Sequence, residues 1–218
     1  MNPTPPPPPA TISIQSAPNA PATGDAALLH QQPAHYLRPG LLQLQALPPL
    51  SLYIHIPWCL KKCPYCDFNS HAAQPLESNS GSADTSASSV PEDIYIAALL
   101  ADLEAALPLI WGRPVYSIFM GGGTPTTLSA SQMDALLTAV NRNFDLSDCV
   151  EYCIEAGRPD TIDREKLQVL LDHGADRISV NPQSLEPRVL SAIGRKHSPE
   201  DIEKAMELAT SMGFPHVN

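Results

Sequence analysis

Cys59, Cys63 and Cys66 place three thiols within eight residues, in the spacing Cys-x3-Cys-x2-Cys. Thiolates are soft ligands that select iron–sulfur clusters, zinc or Cu(I). Structural zinc takes four ligands, usually from two cysteine pairs, and no second pair lies near this one. Three thiolates on a four-iron cluster leave one iron open for a substrate or cofactor. The chain has five cysteines in all, and an odd, clustered set is poor material for a disulfide framework. Cys149 and Cys153 lie far from the cluster in an apolar segment and are expected to be buried core thiols.

These thiols must be held by the elements around them. Leu50–Ile56 is rich in β-formers and stops at Pro57, which predicts a strand. Further strands are expected at Val115–Met120, Val150–Ala156, Arg177–Val180 and, opening at His216, to Asn218. Between them, residues 74–92 read as a loop rich in Ser, Asn and Gly. A helix over 93–107 is predicted with Ile94, Ala97, Ala98, Ala101 and Ala105 on its apolar face. Ser129 and Gln132 form a predicted capping box for a helix reaching about Phe144. A helix from Thr161 to His173 is expected to close at Gly174. A short helix follows from about Glu186, and another is capped by Ser198, begins at Pro199 and ends at Gly213. Strands alternating with helices make parallel βαβ units, so the fold class is α/β. An open sheet and a barrel both satisfy this pattern. In either, ligands gather beyond the C-terminal ends of the strands.

The remaining chemistry-bearing residues sit at those ends. Gly121, Gly122, Gly123 and Thr124 follow the second strand, where glycines let backbone approach a ligand closely; a tight turn explains them equally well. Glu155 ends a strand expected to be buried, so its carboxylate needs a partner, with a salt bridge to Arg158 or Arg177 as the plainer reading. Gln183 and Arg195 follow the fourth strand, where a helix-terminus or surface role is the plainer reading. His71, Lys196 and His197 are read as surface residues. His55 either packs in the core or faces a substrate.

Tyr53-Ile54-His55-Ile56-Pro57-Trp58-Cys59, followed by Lys62-Cys63-Pro64-Tyr65-Cys66-Asp67-Phe68-Asn69-Ser70-His71, resembles the HemN/HemW-type radical S-adenosylmethionine (SAM) family. The resemblance runs from residue 50 to 218. It implies an incomplete parallel (β/α) barrel, in which Cys59, Cys63 and Cys66 hold a [4Fe–4S] cluster and the open iron binds SAM. An electron from the cluster then cleaves SAM to methionine and a 5′-deoxyadenosyl radical. It also implies SAM contacts from Tyr53, Tyr65, Gly121, Gly122, Gly123, Thr124, Glu155, Gln183 and Arg195. Tyr65 would lie beside the adenine, the glycine loop at the methionine end, Gln183 at the ribose and Arg195 at the carboxylate. Residues 50–115 resemble the haem-chaperone branch, with Phe68 where the dehydrogenases carry a further Cys. Residues 116–218, with Glu155-Ala156-Gly157-Arg158-Pro159-Asp160-Thr161 and Asn181-Pro182-Gln183-Ser184, resemble the HemZ branch of coproporphyrinogen dehydrogenases. The implied ligands are haem or a porphyrinogen, and the implied partner is a protein that reduces the cluster.

The chain has 218 residues, 13 basic and 23 acidic, for a net charge of −10. That balance repels phosphate backbones and argues against a nucleic-acid partner. No apolar run approaches a membrane span, no signal peptide is recognisable, and the expected compartment is the cytoplasm. Residues 1–49 hold 12 of the 24 prolines and two charged residues, Asp25 and Arg38, which predicts a disordered Pro-rich leader with at most a short helix near Leu41–Leu47. Residues 50–218 are the expected radical SAM core domain. Family members continue past the position of Asn218, so the expectation is the N-terminal part of a barrel, poorly soluble when made alone.

Overall fold

In a computed structural model of the protein, residues 47–75, 88–110 and 112–218 are described. The expected leader and its Leu41–Leu47 helix fall almost wholly outside them, as does the centre of the 74–92 loop. The main sheet has five strands: β1 (Leu50–Ile56), β2 (Val115–Gly122), β3 (Glu151–Glu155), β4 (Arg177–Ser179) and β5 (His216–Val217). Every pairing is parallel, and the strands lie side by side in chain order. The connecting helices are α1 (Glu92–Ile110), α2 (Ala130–Asn143), α3 (Arg164–Asp172), α4 (Pro187–Ala192) and α5 (Pro199–Ser211). Strand order equal to chain order is the winding of a βα barrel, so the arrangement is α/β with a partial parallel barrel rather than a doubly wound sheet.

The two faces of the sheet differ because strand side chains alternate. Ile54, Ile56, Ile118, Met120, Ile154 and Ile178 point into one core with Ile96 of α1, Met133, Leu136 and Leu137 of α2, Leu167 and Leu170 of α3, and Ala205 and Ala209 of α5. The other face carries Tyr53, Phe119 and Glu155, and the rings of Tyr53 and Phe119 stack at 6.1 Å. Burying one of the larger aliphatic side chains contributes roughly 1.5–3 kcal/mol, so the helix-covered face supplies most of the stability.

Several boundaries and faces depart from expectation. α1 begins and ends beyond 93–107, and its inward face is not the one expected. Ile94 is 77% exposed and Ile96 only 3%, with Leu99, Leu100, Leu103 and Leu107 packed on the core. The segment is apolar nearly all round, so a helical period fits more than one face. Ser129 does cap α2, accepting from Gln132 N at 3.4 Å. The reciprocal half of the box is absent, because Ser129 N donates to Glu92 at 2.9 Å and the Gln132 amide goes to Asp93. The two helix starts are thereby tied together. α3 starts at Arg164, not Thr161, because Asp163 is the residue whose side chain caps it. Ser198 and Asp201 form a full capping box on α5. Within the expected loop, Gln74–Pro75 pairs antiparallel with Ser88–Ser89.

Candidate cofactor site

The chain leaves the C-terminal end of β1 at Pro57 and enters the cysteine loop. Trp58–Cys59 pairs in parallel with His71–Ala72. His71 N donates to Pro57 O and Ala73 N to Cys59 O, both at 2.7 Å, which closes the loop at its base. Within it, Cys66 N donates to Cys63 O at 3.1 Å and sets the turn between the second and third thiols. Lys62 Nζ donates to the carbonyls of Phe68 and Ser70 at 3.2 Å each. One ammonium thus fastens the outgoing limb of the loop to the returning one. The sequence offers no signal for this role, since a lysine between cysteines reads as a solvated charge.

The three thiols line one cavity of about 330 Å³ with Tyr65, Gly122, Gly123, Thr124, Glu155, Gln183 and Arg195. Residues up to 136 positions apart in sequence meet there because each lies at or beyond the C-terminal end of a strand. Cys59, Cys63 and Cys66 are free and half-buried, and Thr124 Oγ1 donates to Cys59 Sγ at 3.5 Å. Among the described residues no three Cys, His, Asp or Glu side chains form a closed ligand set, so the sulfurs are not drawn together. Their soft donor chemistry and common cavity nevertheless suit an iron–sulfur cluster.

Two of the residues named from the sequence do not line this cavity. Tyr53 lines an adjoining cavity of about 580 Å³ with His55, Asn69 and Phe119; the two cavities share Phe68, Gly122 and Glu155. Gly121 is not part of the lining either: a side chain there would strike the Phe119 ring at 2.4 Å. The other glycines serve the chain itself. Gly122 has φ +114°, a region side-chain-bearing residues avoid. At Gly123 a Cβ would lie 2.6 Å from Trp58 O, so the glycine lets the cysteine loop rest on the β2 end. The amides of Gly123 and Thr124 donate to Ile56 O and Trp58 O at 2.7 Å. They extend the sheet ladder instead of facing the cavity.

Glu155 forms neither expected salt bridge. Its Oε1 accepts from Asn181 Nδ2 at 2.6 Å, while Arg177 pairs with Glu151 at 2.8 Å and Arg158 with Asp160. Its carboxylate contributes, after burial, to raising the pKa of Tyr53. Arg195 Nε donates to the Tyr65 hydroxyl at 3.1 Å, and its Nη1 to Gly157 O at 3.5 Å. Burial raises the Tyr65 pKa while Arg195 pulls it down. Gln183 is the one non-glycine residue with positive φ (+64°) among the described residues. His55 sits on the open sheet face, bonded to the Tyr53 hydroxyl at 2.9 Å and to Asn69 O at 2.8 Å.

His197 is not a surface residue. It is 4% exposed and its Nε2 bonds to Pro182 O at 3.2 Å, supporting the turn that carries Gln183. Its Nδ1 is buried without a partner. His71 and Lys196 are exposed as expected. Cys153 is buried at 4% exposure, but Cys149 is only half-buried, with Sγ donating to Glu151 O at 3.4 Å.

The chain matches the Radical SAM superfamily over residues 53–218. It belongs to that superfamily. Members of the radical SAM superfamily use a [4Fe–4S] cluster and SAM, which agrees with the donor set at the strand ends. The chain is 41% identical to the heme chaperone HemW of Escherichia coli over 172 residues, covering 79% of this chain and 42% of that protein. It is 38% identical over 186 residues to the oxygen-independent coproporphyrinogen-III oxidase-like protein HemZ of Bacillus subtilis, covering 81% of this chain and 35% of that one. The radical SAM enzyme HemN from Escherichia coli, a coproporphyrinogen III oxidase, superposes with a TM-score of 0.64 at 30% identity, over 78% of this chain and 36% of that one. The HemN/HemW-type resemblance is thereby supported, and the chain spans about two fifths of the length of these relatives. No helix among the described residues is long and apolar enough to cross a membrane.

Proposed function

We propose that this chain carries the cluster- and SAM-binding part of a HemW-like protein that binds haem and delivers it. The observation that carries the reading is the gathering of Cys59, Cys63, Cys66, Tyr65, Glu155, Gln183 and Arg195 around one strand-end cavity. The three thiols would hold the cluster, which when bound supplies one electron to the sulfonium of SAM. Glu155 and Arg195 offer groups of opposite charge suited to the amino and carboxylate ends of SAM, and Tyr65 offers a ring for the adenine. Tyr53 faces the neighbouring cavity, and its place in the site is through Glu155 and Phe68. Phe68 is 57% exposed and lines both cavities; it occupies the position where the dehydrogenases carry a further cysteine, which favours the chaperone.

A second reading is oxygen-independent oxidative decarboxylation of coproporphyrinogen III. It is favoured by the aromatic cavity of about 580 Å³ that opens beside the first, with Tyr53, His55 and Phe119 in its wall. Both readings need a protein that reduces the cluster, and both suit the cytoplasm. Anaerobic purification with iron and sulfide analysis tests the shared cluster. Haem titration beside an anaerobic coproporphyrinogen assay then divides the two. Stoichiometric haem binding without decarboxylation supports the chaperone; decarboxylation dependent on SAM overturns it.

A further inference from the structure

We propose that Arg158 is a fixed cation that raises the reduction potential of the cluster held by Cys59, Cys63 and Cys66; the inference rests on the reading of those cysteines as cluster ligands. Arg158 lines the cavity with all three thiols. Its side chain is only 9% exposed, and that of its partner Asp160 is 36% exposed. Nε donates to Asp160 Oδ1 at 2.8 Å and Nη2 to the second carboxylate oxygen. Such a two-point pairing locks the guanidinium plane, and Nη1 takes no part in it. Asp160 does most to hold the guanidinium in its charged state, and Cys63 and Cys59 add to it.

A cluster on three thiolates becomes more negative when it gains an electron. A buried positive charge beside it stabilises the reduced form, because charge interactions strengthen away from water. Net charge around the cluster is one of the levers that set its potential. Asp160 opposes the effect, but its greater exposure lets solvent screen it more than the guanidinium. Of the other cations of the cavity, Lys61 is exposed, and Arg195 is the one assigned above to the SAM carboxylate.

The test uses the full 218-residue chain, reconstituted anaerobically with iron and sulfide, with midpoint potentials taken by EPR-monitored titration without SAM. Arg158→Gln is expected to keep its iron and shift the potential downward. Asp160→Asn removes the opposing charge and is expected to shift it upward. A purely structural role predicts no such pair of opposite shifts. An unchanged potential in both loaded variants overturns the proposal, and so does an unchanged potential with weakened SAM binding, which would assign Arg158 to the SAM carboxylate. Should Arg158→Gln fail to load, Asp160→Asn decides alone: an upward shift supports the proposal, and no shift or a downward one overturns it. A wild-type chain that takes up no iron removes the cysteine reading itself, and the proposal with it.

Discussion

Arg195 reaches across 130 residues of chain to bond the hydroxyl of Tyr65 at 3.1 Å. The bond joins the connection between α4 and α5 to the cysteine loop, so the cavity has two walls that brace each other. Arg195→Gln should act on the ligand rather than on the loop, whose base is closed by its own backbone bonds. We expect SAM affinity to fall about tenfold or more, consistent with loss of a charge-assisted contact of roughly 1.5–3 kcal/mol. Iron content should be unchanged, because no thiolate is touched. Equilibrium dialysis with SAM beside iron analysis checks this, and loss of iron with unaltered SAM affinity would contradict the role.

The five cysteines should divide by environment. Burial pushes the Cys153 thiol up to about 11 and also raises Cys149. A thiol with so high a pKa stays protonated at pH 8 and is a poor nucleophile. In the native apo-protein, iodoacetamide should label Cys59, Cys63 and Cys66 before Cys153. Ala substitution at any of those three should abolish the intact cluster, whereas Cys149→Ala and Cys153→Ala should retain iron. Mass-spectrometric mapping and iron analysis read both outcomes; full iron in Cys63→Ala would end the assignment.

Gly123→Ala probes the seat of the cysteine loop. An added Cβ would lie 2.6 Å from Trp58 O and 2.8 Å from Pro57 C, and backbone cannot yield there without moving the loop. Overpacking of this kind costs about 1–3 kcal/mol. Iron uptake should drop together with the melting temperature. Lys62→Met should lower iron uptake with a smaller stability loss of about 1 kcal/mol, because only the two hydrogen bonds to Phe68 O and Ser70 O are lost. Equal uptake in wild type and both variants would show that the loop needs neither support.

Acid should expose the Arg158–Asp160 pair. Burial raises the Asp160 pKa, but the bonds from Arg158 outweigh it and hold the carboxyl below its usual value. A carboxylate so depressed stabilises the fold above its unfolded pKa of about 3.9. That contribution is lost as pH falls through the lower folded value. Asp160→Asn should therefore cost about 1 kcal/mol at pH 7, discounted for partial exposure, and progressively less as pH falls below about 3.9. Urea unfolding of both proteins from pH 7 to pH 3 measures the gap; a gap that stays constant with pH would rule the pair out as its source.

The amino-acid sequence by itself determined the thiol chemistry, the strand–helix alternation and the caps at Ser129, Ser198 and Gly174. All of these depend on residues within a few positions of each other, where side-chain type and spacing act directly on backbone. The convergence of Glu155, Gln183 and Arg195 on the cysteines was also legible, because parallel strands send all their C-terminal ends to one edge. Only the tertiary structure decided between open sheet and barrel winding, since both obey the same alternation and differ in which strands become neighbours. It alone selected Ile96 over Ile94 as the inward residue of α1, where an apolar surface all round left the period ambiguous. It alone gave Glu155 an asparagine partner in place of arginine, moved Tyr53 to the next cavity, buried His197 beneath the Gln183 turn and set Lys62 across the loop. Each of these rests on which distant backbone carbonyl or side chain packs within about 3 Å, the range over which a hydrogen bond forms, and that distance is fixed by the folded chain as a whole.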